Sequence, residues 1–151
     1  MDSWVVNRVW VGGTFDLFHA GHVDLLRQCS EQGHVYVSLN TDNFVERYKG
    51  QRPIMTFDER KSVLEACKYV YKVIENKGGE DSKPSINEIE PNFIAVGSDW
   101  LNKDYLKQLG ITVDYLEEKD IKLLYIPRPV YVDRISSTNI KQRVLDAQRG
   151  Y

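Results

Sequence analysis

Gly12-Gly13-Thr14-Phe15-Asp16-Leu17-Phe18-His19-Ala20-Gly21-His22 joins an apolar run, Val9 to Val11, to the first residues of an apolar-periodic segment. The order apolar run, glycines, periodic segment predicts a strand that ends in a tight turn and feeds a helix. Glycines at such a turn let the backbone approach a ligand without a Cβ in the way. The start of a helix offers unpaired N–H groups and a partial positive charge, which together favour an anion. His19 and His22 stand three residues apart at that start, so both rings face one side of the first turn. Thr14 and Asp16 fall at the carboxyl end of the strand, where ligands bind in open α/β sheets.

Other readings of these residues stay open at the level of sequence. Asp16 is suited either to orienting a ring nitrogen or to capping a turn. Two nearby histidines are also a partial zinc site, but no Cys or His stands at an obvious spacing to complete it. Histidines that only satisfy local hydrogen bonds are the plain alternative.

A second polar cluster lies far downstream in Arg134-Ile135-Ser136-Ser137-Thr138-Asn139-Ile140-Lys141. Its three hydroxyl residues precede an amphipathic run with Ile140, Val144 and Leu145 as apolar positions, which is an N-cap pattern. Capping and anion binding use the same N–H groups, so the two roles are compatible.

Between these segments strands and helices alternate. Strands are expected at Trp4–Val11, Val35–Leu39, Tyr69–Ile74, Phe93–Val96 and Lys122–Ile126. Helices are expected at Gly21–Gln32, Thr41–Tyr48, Phe57–Cys67, Lys83–Ile89, Ile111–Glu118 and Ser137–Arg149, with a helix or turn pair at Asp99–Leu109. Thr56 followed by Glu59 forms a capping box before Phe57. Lys49–Met55 and Asn76–Lys83 read as loops. Such alternation with right-handed crossovers predicts one Rossmann-like α/β/α domain over residues 1–151, built on a parallel five-stranded sheet.

Bulk properties exclude several classes. The chain has 151 residues and a formal net charge of −2, so it carries no nucleic-acid footprint. No apolar stretch approaches a membrane span, and Met1-Asp2-Ser3 lacks a charged signal-peptide start. Cys29 and Cys67 sit among apolar neighbours, as free thiols do in a reducing cytoplasm.

The segment GTFDLFHAGH resembles the HxGH signature of the cytidylyltransferase-type nucleotidyltransferases, and the Ser136–Thr138 segment resembles their ISST motif. The likeness covers most of the chain and is strongest to the glycerol-3-phosphate cytidylyltransferases. It implies transfer of CMP from CTP, bound with magnesium, to a small phosphorylated acceptor, in a homodimer. By that resemblance His19, His22, Thr14 and Lys49 act on the reacting phosphates. Gly12, Gly13, Phe15, Gly21, Gly97, Asp99, Arg128, Ser136, Ser137 and Thr138 hold the nucleotide. Asp16, Arg60, Lys68 and Trp100 surround the acceptor, and no direct protein ligand to metal is assigned.

Each assignment has a plainer counterpart. Lys49 fits a solvated loop lysine, Arg60 a helix-surface ion pair, Asp99 a helix cap and Trp100 a cover for the sheet edge. Tyr69, Tyr71, Tyr131 and Trp100 are the aromatic residues available for a choline cage. The chain departs from the family pattern at Lys68–Val73, where an arginine and an acidic residue are replaced. It also has Gly78 or Gly79 where the family has tryptophan, and about three extra residues between Arg128 and Ile135. An adenylyltransferase, a non-catalytic nucleotide sensor and an interaction module are the competing functions.

Overall fold

A computed structural model describes residues 6–130 and 135–150. Five parallel strands form one sheet: β1 (Arg8–Gly13), β2 (His34–Leu39), β3 (Lys72–Glu75), β4 (Phe93–Gly97) and β5 (Lys122–Ile126), in the order β3-β2-β1-β4-β5. β1 is central and pairs from Arg8↔His34 to Gly13↔Leu39 on one side, and from Val9↔Phe93 on the other. The chain therefore reverses its winding between β1 and β4. That is the switch point at which open sheets of this kind leave a crevice at their carboxyl edge.

Side chains alternate across each strand with a period of two. Val9, Val11, Val35, Val37, Leu39, Val73 and Ala95 pack on one face against Leu26 and Cys29 of α1 (Ala20–Ser30) and Leu64 of α3 (Phe57–Glu65). Trp10, Ile74, Ile94 and Val96 pack on the other against Ile86 and Ile89 of α4 (Lys83–Ile89), Leu109 of α5 (Tyr105–Leu109) and Leu116 of α6 (Val113–Lys119). Helices on both faces explain why the strand sequences are almost continuously apolar. The expected three-layer α/β architecture is the one found.

Boundaries moved where local bonds overrule periodicity. β1 extends to Gly13, beyond the expected Val11, while the expected start at Trp4 lies outside the described residues. β3 starts at Lys72, not Tyr69, because α3 ends at Glu65 and the chain turns through Cys67 N→Leu64 O and Val70 N→Cys67 O bonds before joining the sheet. Cys67 therefore lies in that turn, outside the helix. α2 (Asp42–Lys49) carries Lys49 on its last turn, before Gly50 at φ +83°, so this lysine is helical where a loop was expected. The Asp99–Leu109 stretch is a single 3₁₀ turn (Ser98–Trp100) followed by α5, whose cap is Asp104. The last helix, α7 (Ser137–Arg149), begins as expected, capped by Ser136.

Candidate active site

The β1–α1 connection is held under strain. Phe15 and Leu17 adopt left-handed φ values of 52° and 53°, a conformation that costs a non-glycine residue on the order of 1–3 kcal/mol and concentrates at functional sites. Asp16, between them, holds the turn from both sides. Its carboxylate accepts from Ile54 N at 2.8 Å and Met55 N at 2.9 Å, and its carbonyl accepts from the Ser137 hydroxyl at the start of α7. Asp16 thus locks the loop at residues 53–56 and α7 onto this turn. Its carboxylate is held by these backbone N–H groups, with Lys141 Nζ 3.9 Å away, and it bonds to no histidine ring; the residue lines the larger of two hollows at this edge of the sheet.

The two histidines cap α1 for each other. His19 is the N-cap, and its Nδ1 accepts from Gly21 N at 3.0 Å; His22 Nδ1 accepts from His19 N at 3.3 Å. With both Nδ1 atoms acting as acceptors, the network assigns the proton of each neutral ring to Nε2. The rings stack with centroids 3.7 Å apart. Gly21 is required for this fold-back, since a Cβ there would lie 2.9 Å from the His19 ring. Burial, then the charge of Arg128, lowers the pKa of His19; burial, then His19 and Arg128, brings His22 down to about 3. At neutral pH the pair is uncharged and presents two N–H donors.

Two connected hollows open at this edge of the sheet. The first, of about 360 Å³, is lined by His19, His22, Gly97, Arg128 and the Ser136–Thr138 segment. The second, of about 540 Å³, extends over Thr14, Ser38, Asn40, Phe44 and Asn76 toward Gln108. His22, Lys49, Asp99, Trp100, Ser137 and Thr138 line both, so the hollows meet at His22, while His19 lines the smaller one. The starts of α1 and α7 therefore face one cleft: a Cβ on Gly21 would stand 3.4 Å from the Ile135 carbonyl. Arg128 donates to that carbonyl at 2.7 Å and so ties the end of β5 to the α7 cap.

Most residues singled out from the sequence converge here. Gly12, Gly13, Thr14, Phe15, Lys49, Asp99, Trp100, Ser136, Ser137 and Thr138 all line the cleft. Gly12 has a packing reason, since a Cβ would lie 2.6 Å from the Trp10 indole that floors the larger hollow. Tyr131 and Arg134 lie outside the described residues.

Two expectations are corrected. Arg60 is fully buried and donates to Met55 O, Thr14 O, Asn40 O and Asp42 Oδ1 at 2.7–3.1 Å, so four of its five N–H groups are spent on the protein. It is a strut beneath the cleft wall and lines neither hollow. Lys68 lies in the turn that leads into β3, over the Tyr69 ring at 5.2 Å, and it too lines neither hollow. A turn from helix to strand comes before the strand, at the edge of the sheet opposite the crevice.

The sequence reading missed the floor and far wall: Trp10, Ser38, Asn40, Asn76 and Gln108. A signal existed for two of them. Ser38 interrupts an apolar strand near its carboxyl end, and Asn76 directly follows β3. Among the described residues no group of three or more His, Cys, Asp or Glu is arranged to hold a metal ion, and no helix is long and apolar enough to cross a membrane.

The model of the cytidylyltransferase-like family matches residues 10–143. The chain is 31% identical over 140 residues to a glycerol-3-phosphate cytidylyltransferase from Staphylococcus aureus, covering 92% of this chain and 96% of that protein. It is 34% identical over 148 residues to an FAD synthase from Pyrococcus horikoshii, covering 92% and 93%. Among solved structures, the lipopolysaccharide core biosynthesis protein from Thermoplasma volcanium superposes with a TM-score of 0.63 at 25% identity, covering 82% of this chain and 98% of that one. The matched span runs from Trp10 in β1 into α7 and so includes both helix starts at the cleft: the chain belongs to the cytidylyltransferase-like family and is a nucleotidyltransferase.

Proposed function

We propose that this enzyme transfers CMP from CTP to the phosphate of a small phosphorylated alcohol, with glycerol 3-phosphate as the first acceptor to test. The products are a CDP-alcohol and pyrophosphate. The observation that carries this reading is the uncharged histidine pair at one helix start, facing the hydroxyl-rich start of α7 across one cleft. The smaller hollow suits the triphosphate. The larger one, with Lys49, Arg52 and Lys141 beside Asp16, Asp99 and neutral polar and aromatic residues, suits a phosphate that carries a hydroxyl-bearing tail, the cations facing the phosphate and the carboxylates accepting from hydroxyls.

In the reaction an acceptor phosphate oxygen forms a bond to the α-phosphorus as the bond to the bridging oxygen breaks. The electron pair leaves with pyrophosphate. A phosphate monoester is already nucleophilic at neutral pH, so the enzyme supplies position and charge stabilisation. The Nε2–H groups of His19 and His22 donate to the phosphate oxygens as charge builds on them. Lys49 neutralises from the shared wall, and the hydroxyls of Ser136 and Thr138 hold the leaving group with the free N–H groups at the start of α7, among them that of Ser137, whose hydroxyl is spent on the Asp16 carbonyl. Magnesium carried by the nucleotide would supply further charge to the phosphate oxygens, and no residue of this chain is assigned to hold it.

The FAD synthase similarity at 34% identity favours a second reading, in which ATP is the donor and a flavin phosphate the acceptor. Pyrophosphate release from CTP or ATP, each with glycerol 3-phosphate, choline phosphate, ethanolamine phosphate and flavin mononucleotide, decides between them. Turnover only with ATP and the flavin overturns the first reading. CTP binding with no turnover on any acceptor points to a sensor.

A further inference from the structure

The carboxyl ends of β1, β2 and β3 carry three polar side chains in one line: Thr14, Asn40 and Asn76. Asn76 Nδ2 donates to the Gly79 carbonyl at 3.0 Å and to Asn40 Oδ1 at 3.0 Å; Asn40 Nδ2 donates to Thr14 Oγ1 at 3.2 Å. The direction of this chain is fixed at its far end. A backbone carbonyl can only accept, so Asn76 must turn its N–H₂ toward Gly79, and its second N–H then meets Asn40. The other Asn76 atom, Oδ1, is buried without a partner, which is the cost of keeping the amide this way round. Asn40 must then offer oxygen to Asn76 and nitrogen to Thr14. Thr14 Oγ1 receives a hydrogen, and among the described residues its own O–H has no protein acceptor, while the residue lines the cleft.

We propose that Asn76 and Asn40 are positioning residues that act through Thr14, forming a one-way hydrogen-bond relay that leaves the Thr14 hydroxyl a donor to a phosphate oxygen of the substrate. A phosphate oxygen is an acceptor only, so a threonine that donated to the protein could offer it nothing but repelling lone pairs. The relay also adds polarity, since each bond in the chain strengthens the next. Arg60 supports the same line from beneath by donating to the backbone carbonyls of Thr14 and Asn40, which fixes the main chain and leaves the Asn40 amide free to turn. The inference rests on the phosphate-transfer reading above only for the identity of the ligand.

The test reverses the relay from a distance. In Asn76→Asp the carboxylate accepts from Asn40, whose amide flips and presents Oδ1 to Thr14; Thr14 then donates to the protein. Turnover of CTP with glycerol 3-phosphate should fall about 10- to 100-fold, the weight of a hydrogen bond to a charged group, chiefly in kcat. Thr14→Val should fall equally, and Thr14→Ser should retain activity. In the Thr14→Val background, Asn76→Asp should cost less than about twofold, because the relay then has no end. An equal loss in both backgrounds would mean that the new charge acts directly, and overturns the relay. Near-normal turnover in folded Asn76→Asp overturns it as well. If that variant does not fold, Asn40→Asp in the same cycle makes the same reversal one step nearer. The cycle is run in parallel on calorimetric affinity for inorganic phosphate, which requires neither CTP nor an acceptor. Coupling in phosphate affinity without any cytidylyl transfer supports the relay and overturns the proposed reaction; absent coupling in both overturns the relay.

Discussion

The two hollows of the cleft are built in different ways. The smaller hollow, the phosphate side on the proposed reading, is made around His19, His22 and Ser136–Thr138 from two contiguous segments, each at a helix start, whose residues cap their own helices and line the cleft at once. The larger hollow, the acceptor side on that reading, is made from single residues at the ends of separate strands, Thr14, Ser38, Asn40 and Asn76, with Trp10 as floor and Gln108 as far wall. A phosphate site needs N–H groups, which one stretch of backbone supplies. A site for the rest of the acceptor needs shape, which only assembly of the sheet supplies. Changes on the phosphate side, and in the Thr14–Asn40–Asn76 line that serves a phosphate, should therefore alter the reaction whatever the acceptor, and changes at Trp10, Ser38 and Gln108 should alter which acceptor is used.

The largest effect expected is structural and concerns the support between the two sides. Arg60→Ala leaves Thr14 O, Asn40 O and Asp42 without their buried cationic partner, so stability should fall by about 3–5 kcal/mol. Urea denaturation checks this. Arg60→Lys should recover little, since one ammonium cannot span the four acceptors. Normal stability with a raised acceptor KM would instead make Arg60 an acceptor ligand and break the distinction drawn here.

Next come His19→Ala and His22→Ala. Each removes one donor aimed at developing charge, and each should lower kcat about 10²–10³-fold, or about 2.7–4 kcal/mol. The loss should be alike for every acceptor tested. Steady-state kinetics with two acceptors, on variants whose circular dichroism is unchanged, provide the comparison. Loss confined to one acceptor would assign the histidines to the acceptor side.

These two predictions also mark what the sequence made legible. Periodicity and caps reported the helix starts, because capping chemistry is local: Thr56 with Glu59, and Ser136 before α7, appear as expected. Arg60 was misplaced for a physical reason. Its neighbours Glu59 and Lys61 suggest a charged helix surface, while the bonds that bury it come from Thr14 and Asn40, 46 and 20 residues away. Asn40 and Asn76 were passed over because an asparagine after a strand is also an ordinary turn residue. Only the sheet order β3-β2-β1 brings them into line with Thr14.

Ser136→Ala should have a smaller effect on the phosphate side. The Ser136 hydroxyl accepts from Asn139 N at 3.0 Å, and losing an N-cap costs about 0.5–2 kcal/mol. Thermal unfolding reads the stability term. A several-fold rise in KM for CTP, with acceptor KM unmoved, would show that the cap and the ligand share that helix start.

The smallest effect is a matter of pH, and its sign follows from burial. His22 has a pKa of about 3 in the folded protein against 6.5 as a free side chain, with burial the leading cause. Above pH 6.5 the ring is neutral in both states, and its burial carries no protonation penalty. As pH falls through that value the unfolded chain takes up a proton that the folded one refuses, so stability declines on the acid side. Between pH 6.5 and about pH 5.5 the loss from this group is about 1 kcal/mol. His19 shifts in the same direction. Chemical denaturation of wild type and His22→Gln at the two pH values isolates the term, because the variant lacks the titrating ring and should lose less. Turnover should not change between neutral and mildly alkaline pH on account of either ring, since both are already neutral donors. A fall in kcat centred near neutrality on the alkaline side, absent from His22→Gln, would mean that a charged imidazolium works on the phosphate. The histidine pair would then act by charge, as Lys49 does.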